Sequence, residues 1–276
     1  LGPKGQNWGL PPMLPYQLFR QAYRPMIELF RANMQDSGAL RIDHVMALLR
    51  LWWVPKGAQS AGEGAYIYYP IMDLLGILAL ESQRQQAVVI GEDLGTVPDG
   101  IFELLQQFGM YSYRIFFFEQ AEDGGYISTA HYPVQAMAAL TTHDMPTLVG
   151  YWQQHDLALR HQLDLFPSPQ VADSLYQLRA DEKQLMRQRL QLPDGDYSQA
   201  DFAKLIRASH LFTASQPAKL LAFQLEDLLL MATPVNIPGT STEYPNWQRK
   251  LVTDIDDILS RDDVLELIAA IKAARQ

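Results

Sequence analysis

The sequence predicts an α/β fold, a parallel barrel or part of one, with helices inserted late in the chain. Three observations carry that expectation. Up to about residue 150, short apolar runs alternate with helical patterns, the signature of βα units. The run AVVIGED at 87–93 is β-branched, apolar on both faces and closed by a turn, which suits a buried parallel strand. Three acidic motifs each stand at the C-terminal end of an apolar run, where a parallel α/β barrel builds its active site.

Taken in order, residues 15–38 predict one or two helices, kinked or divided near Pro25 and ended by Gly38. Residues 39–45 (ALRIDHV) read as a short strand, continued by the apolar VMALLRLWWV. Residues 55–70 read as a long Gly-rich loop studded with tyrosines. Asp73 is placed to N-cap the helix that follows it, up to residue 86. After the strand at 87–93, PDGIFELLQQFG is a helix ending at Gly109, and YSYRIFFFE at 111–119 is a second buried strand. VQAMAALTTHD at 134–144 is a further short strand ending in a polar cluster. Beyond it the texture turns helical: 171–191 is an amphipathic helix, 201–212 and 252–276 are also helical, and a helical insertion is expected over about 165–215.

Composition narrows the function. The 276 residues are 48% hydrophobic and 19% charged, enough for a substantial core. No apolar run approaches the roughly 20 residues of a membrane helix; the longest, LLAFQLEDLLLM, is cut by Glu226 and Asp227. The net charge of −9 argues against a nucleic-acid partner, which needs clustered Lys and Arg. The absence of cysteine removes disulfides and thiolate chemistry and accords with a cytoplasmic address. The opening LGPKGQNWGLPP has neither the basic nor the apolar region of a signal peptide. It lacks an initiator Met, so sequence upstream is expected.

The three acidic motifs are RIDH (41–44), GEDLG (91–95) and TTHDMPT (141–147). On a strand, Arg41 and Asp43 share a face, and the guanidinium would keep Asp43 ionised, as a carboxylate nucleophile requires. Glu92 or Asp93 would serve as general acid if partial burial favoured its protonated form; their side chains alternate, so at most one faces a substrate. Asp144, followed by Pro146, is placed as a helix N-cap, while His143 is suited to a sugar hydroxyl or a neighbouring carboxylate. Taken alone, each motif has a plainer reading: a strand-end ion pair, a polar turn, a cap. No G-x-G-x-x-G spacing supports a dinucleotide, and no ligand spacing surrounds His44 or His143, so neither cofactor nor metal is expected. Together, at separations of one and two βα units, the acids suit a retaining glycosidase-type reaction, whose two carboxyls lie about 5–5.5 Å apart.

RIDH, GEDLGTVP and THDMPT, with NWGLPP before and VNIPGT after, resemble in order the motifs of the amylomaltases, the 4-α-glucanotransferases of bacterial maltodextrin metabolism. The likeness runs to about Lys250. It implies a (β/α)8 TIM-like barrel of the α-amylase kind, with this chain spanning roughly strand 4 to strand 8. It also implies residue roles: Asp43 the nucleophile, Glu92 the acid/base, and Asp144 the carboxylate that binds ring hydroxyls of the distorted sugar. Arg41, His143, Asn236, Trp8 and Tyr66 would contribute to substrate binding, with maltodextrin as the substrate. The same three acids serve α-amylase-like hydrolases. Amylomaltase chains extend upstream of the position matched by Leu1, so this segment alone is expected to leave barrel edges open, and to be unstable or inactive without the rest. An inactive glucan-binding fragment is the alternative that follows.

Overall fold

The computed structural model describes residues 9–121 and 125–276, and is mixed α/β. It divides into two compact units, one of residues up to 113 with 135–137, the other of 114–134 with 138–276.

In the first unit, α1 (Pro15–Arg20) and α2 (Arg24–Met34) resolve the predicted helical stretch into two helices. Pro25 sits in the first turn of α2, where its missing N–H costs nothing, so it opens a helix instead of kinking one. Tyr23, left-handed at φ 58°, makes the break. β1 (Ala39–Ile42) is followed by a 3-10 turn at Val45–Leu48 and by β2 (Arg50–Trp53). The expected long loop instead contains β3 (Ala65–Tyr68), antiparallel to β2 with Trp52 opposite Tyr66 and Arg50 opposite Tyr68. Tyrosines favour such a pleated surface. The connection is shaped by a capping box between Ser60 and Glu63, and by Trp52 Nε1 donating to the Ala61 carbonyl at 2.9 Å. At Gly64 a Cβ would strike the Trp52 indole, so only glycine lets the hairpin close.

α3 (Ile71–Gln85) begins before Asp73, which is therefore not its cap; the Asp73 carboxylate accepts from the Tyr23 hydroxyl. β4 (Val88–Gly91) pairs parallel with β1, from Ala39 opposite Val88 to Ile42 opposite Gly91. After α4 (Ile101–Gln107), Tyr111 extends the parallel array through a bridge to Ile90. Leu74, Leu75 and Leu78 of α3 join Phe30 and Met34 of α2 and Val89 of β4 in one core cluster. At its edge the buried Glu81 carboxylate takes Arg31 Nε at 2.7 Å and Nη2 at 3.0 Å, and Arg84 Nη1 at 2.8 Å. The Arg31 guanidinium, with help from Arg84, holds that carboxyl below the usual glutamate range.

β5 (Ser112–Ile115), β6 (Ala136–Ala139) and β7 (Leu220–Ala222) form a sheet in the order β5-β6-β7. β5 is shorter than the apolar run predicted. After Ile115 the chain coils into a 3-10 turn, and Phe116 stacks on Tyr126 with ring centroids 4.5 Å apart. The second unit continues through α5 (Leu148–Trp152), α6 (His155–Gln162), α7 (Pro169–Leu190) and α8 (Gln199–Ala214). After β7 come α9 (Leu225–Leu228), α10 (Ile255–Ser260) and α11 (Asp262–Ala274). α7 opens on Ser168 with Pro169 next, and α8 on a Ser198–Asp201 capping box, both satisfying first-turn N–H groups. Buried Arg179 of α7 forks onto Asp156 at 2.8 and 2.9 Å and lies over the Tyr151 ring at 3.7 Å. α5 is capped by Thr147, whose Oγ1 accepts from Gly150 N; the cap expected of Asp144 belongs to Thr147, and Asp144 lies in the preceding turn.

Candidate active site

β1 ends at Ile42 and β4 at Gly91, and these two residues are partners in register. Asp43 and Glu92 are therefore the next residues on two adjacent parallel strands, both at the C-terminal end. Three bonds lace the strand ends together. Glu92 N donates to the Ile42 carbonyl and Val45 N to the Glu92 carbonyl, each at 2.9 Å, and His44 N donates to Glu92 Oε2 at 2.7 Å. His44 makes the last bond possible by turning left-handed, at φ 46°. Gly91 lets the strands close, because a Cβ there would press within 3.1 Å of the Val45 methyls.

Glu92 is buried. Its second oxygen, Oε1, accepts from Leu94 N at 2.8 Å, so backbone donors fix both carboxylate oxygens. Asp93 turns to β5, where its Oδ1 accepts from Tyr113 N at 2.8 Å. Asp43 contrasts with both, its side chain 68% exposed, with Arg41 Nη1 on Oδ1 at 2.9 Å. Arg41 lies 5.4 Å above the Tyr113 ring, which steadies the guanidinium from below. Arg41 and Asp43 thus meet as strand periodicity predicts. Tyr66 lies on the β2–β3 hairpin, half exposed, with Trp52 edge-on at 4.9 Å and the Arg50 guanidinium 4.1 Å above its ring. Trp8 lies outside the described residues.

In the second unit Asp144 is half exposed in the turn between β6 and α5. Asn236 Nδ2 donates to its Oδ1 at 2.6 Å, and His143 Nε2 lies 3.4 Å from Oδ2. The His143 ring in turn rests 5.3 Å from the ring of Trp247, itself exposed. Beside this group a cavity of about 270 Å³ is lined by Thr142, His143, Gln224, Glu226, Trp247 and Arg249 among others. A cavity lined by polar and apolar side chains together, Met145 and Val235 among the latter, beside the exposed Trp247 indole suits a sugar ring, whose C–H face stacks and whose hydroxyls hydrogen-bond. Trp247 escaped sequence reasoning because a tryptophan in a Pro-flanked loop signals nothing about exposure. Among the described residues, no three His, Asp or Glu side chains gather as a metal site requires.

A family model described as 4-alpha-glucanotransferase matches residues 1–254. The 4-alpha-glucanotransferase of Haemophilus influenzae is 41% identical over 100% of this chain and 40% of its own length. That of Mycobacterium tuberculosis is 35% identical over 98% of this chain and 38% of its own. Among solved structures, amylomaltase from Corynebacterium glutamicum superposes with a TM-score of 0.85 at 30% identity, over 99% of this chain and 40% of that one. Amylomaltase from Streptococcus agalactiae in complex with acarbose gives 0.74 at 18% identity, over 99% and 48%, a likeness of fold alone. The chain belongs to the 4-alpha-glucanotransferase family, and spans about 40% of the length of the two relatives named here.

Proposed function

We propose that this chain carries the catalytic carboxylates of a 4-α-glucanotransferase, which moves a segment of an α-1,4-glucan to the 4-hydroxyl of another glucan or of glucose. The observation that carries the reading is the placement of Asp43 and Glu92 on adjacent parallel strand ends, joined through His44 N–H. Exposed Asp43 attacks the anomeric carbon while Glu92 protonates the departing glycosidic oxygen, leaving a glycosyl ester on Asp43. The acceptor's 4-hydroxyl then gives its proton to Glu92 and displaces Asp43, so configuration is retained over two inversions. Asp144, held by Asn236 and flanked by His143, takes ring hydroxyls of the distorted sugar. Arg41 keeps Asp43 oriented, and Trp8 and Tyr66 contribute to binding further glucose units.

In this reading β1, β4, β5, β6 and β7 are strands 4 to 8 of an eight-stranded barrel, the β2–β3 hairpin is an excursion from its rim, and α7 and α8 are the insertion over about 165–215. A cysteine-free chain accords with a cytoplasmic enzyme. Incubating the complete enzyme with maltotriose tests the reaction. A ladder of longer maltodextrins with free glucose is expected; shorter products alone would make it a hydrolase, and binding without turnover would make it a glucan-binding protein.

A further inference from the structure

Asp227 is wholly buried, yet it was visible in the sequence only as a charge interrupting an apolar run. Its surroundings tie it to Asp144. Oδ1 of Asp227 accepts the N–H of Leu148, the first residue of α5, at 3.0 Å. One residue earlier, Thr147 Oγ1 donates to the Met231 carbonyl at 2.6 Å while accepting from Gly150 N at 3.1 Å. Gly150 in turn packs so close to residue 232 that a Cβ there would overlap the Ala232 carbonyl oxygen. At the far end of the same pair of segments, Asn236 grips Asp144. The stretch from Asp144 to Gly150 is thus fastened to the stretch from Asp227 to Asn236 along its whole length, with Asp227 at the buried end and Asp144 at the exposed one.

We propose that Asp227 is a positioning residue for Asp144: through Leu148 N–H it sets where the turn at 144–147 stands, and so where Asp144 presents its carboxylate. This rests on the role proposed above for Asp144. A solvent-facing carboxylate on a short turn would otherwise sample several orientations. Two anchors on the segment behind it, one a buried carboxyl oxygen and one a backbone carbonyl, remove that freedom, and pre-organisation of this kind is where transition-state binding is gained. The other oxygen of Asp227 faces His210 Nε2 of α8 at 3.9 Å, and neighbouring Glu226 is held by Arg249 at 2.6 Å. Among the described residues Asp227 Oδ2 has no hydrogen-bond partner, so Leu148 N–H is the bond through which Asp227 acts.

The test compares Asp227→Asn, Asp227→Ala and Thr147→Val in the complete enzyme, with maltotriose as substrate and Asp144→Asn as reference. Asp227→Ala and Thr147→Val are expected to lower kcat roughly ten- to hundredfold with KM little changed, the mark of an interaction made in the transition state. Asp227→Asn keeps an oxygen for Leu148 N–H and is expected to restore most of kcat. If Asp227→Ala does not fold, Asp227→Asn and Thr147→Val decide. Near-wild-type kcat in a folded Thr147→Val or Asp227→Ala overturns the proposal, as does an Asp227→Asn no better than the most damaged variant. Full turnover by Asp144→Asn would instead overturn the reading beneath it.

Discussion

The backbone N–H of His44 meets Oε2 of Glu92 at 2.7 Å, so the residue next to Asp43 holds the Glu92 carboxylate directly. The spacing of the two acids is thereby set by main chain, with strand pairing on one side and a single turn on the other. Substitutions at the two positions should consequently behave differently.

Asp43→Asn should abolish maltotriose transfer while leaving unfolding within about 0.5 kcal/mol of wild type, since an exposed side chain contributes little to stability. Glu92→Gln should lower turnover by roughly 10²–10⁴-fold. It should also cost about 1–3 kcal/mol, because an amide N–H₂ must face a backbone N–H that the carboxylate satisfied. Turnover and urea unfolding measured on both variants check the contrast; equal stability losses would contradict it.

Asn236→Ala removes the donor on Asp144 Oδ1. A hydrogen bond to a charged group contributes about 1.5–3 kcal/mol, so kcat should fall on the order of ten- to a hundredfold. Asn236→Asp should be worse, with a second carboxylate facing the first. Steady-state kinetics on maltotriose decide it; an Asn236→Asp enzyme as active as Asn236→Ala would count against it.

Asp227 and His210 should tilt stability in opposite directions with pH. Burial pushes Asp227 up to about 7, against the pull of Leu148 N–H, and pushes His210 down to about 4. Between roughly pH 4 and 7 the folded chain keeps a proton on Asp227 that the unfolded chain has lost, so that contribution declines as pH rises. His210 is the reverse, its neutral folded form losing ground as pH falls from about 6.5 toward 4. Asp227→Asn removes the first slope and leaves the second. Its stability should rise more steeply than wild type between about pH 4 and 6.5 in denaturant titrations; parallel curves would refute the assignment.

Glu81→Gln should destabilise the first unit by roughly 1–3 kcal/mol at pH 7, toward the lower end because both arginines are half exposed and recover water. The folded-state pKa of Glu81 is depressed, so its stabilisation is complete above the ordinary value of 4.5 and is lost as pH falls below it. Variant and wild type should therefore converge in acid. A gap that does not narrow at all as pH falls below 4.5 would show that packing, not charge, accounts for the difference.

What the sequence revealed follows from how local each signal is. β4 was legible because its apolar, β-branched residues carry their environment with them, and Arg41–Asp43 because a strand's two-residue period alone unites them. Asp73 and Asp144 both resembled N-caps, but partners distant in sequence claim them, Tyr23 for one and Asn236 for the other. β7 is too short to show a period. The β3 strand was hidden by the glycines that precede it, although the alternation AYIY was there to be read. Asp227 had no local mark of burial, since an acid within an apolar run reads equally as a solvent-facing charge.

His44 offers a last consequence. An L-residue held at φ 46° costs roughly 1–2 kcal/mol that glycine would not incur. A library selected only for heat tolerance should favour glycine at 44, and the same relief would slacken the grip on Glu92. Robustness and turnover pull this position in opposite directions, so its side chain is a place where the two kinds of selection can be told apart.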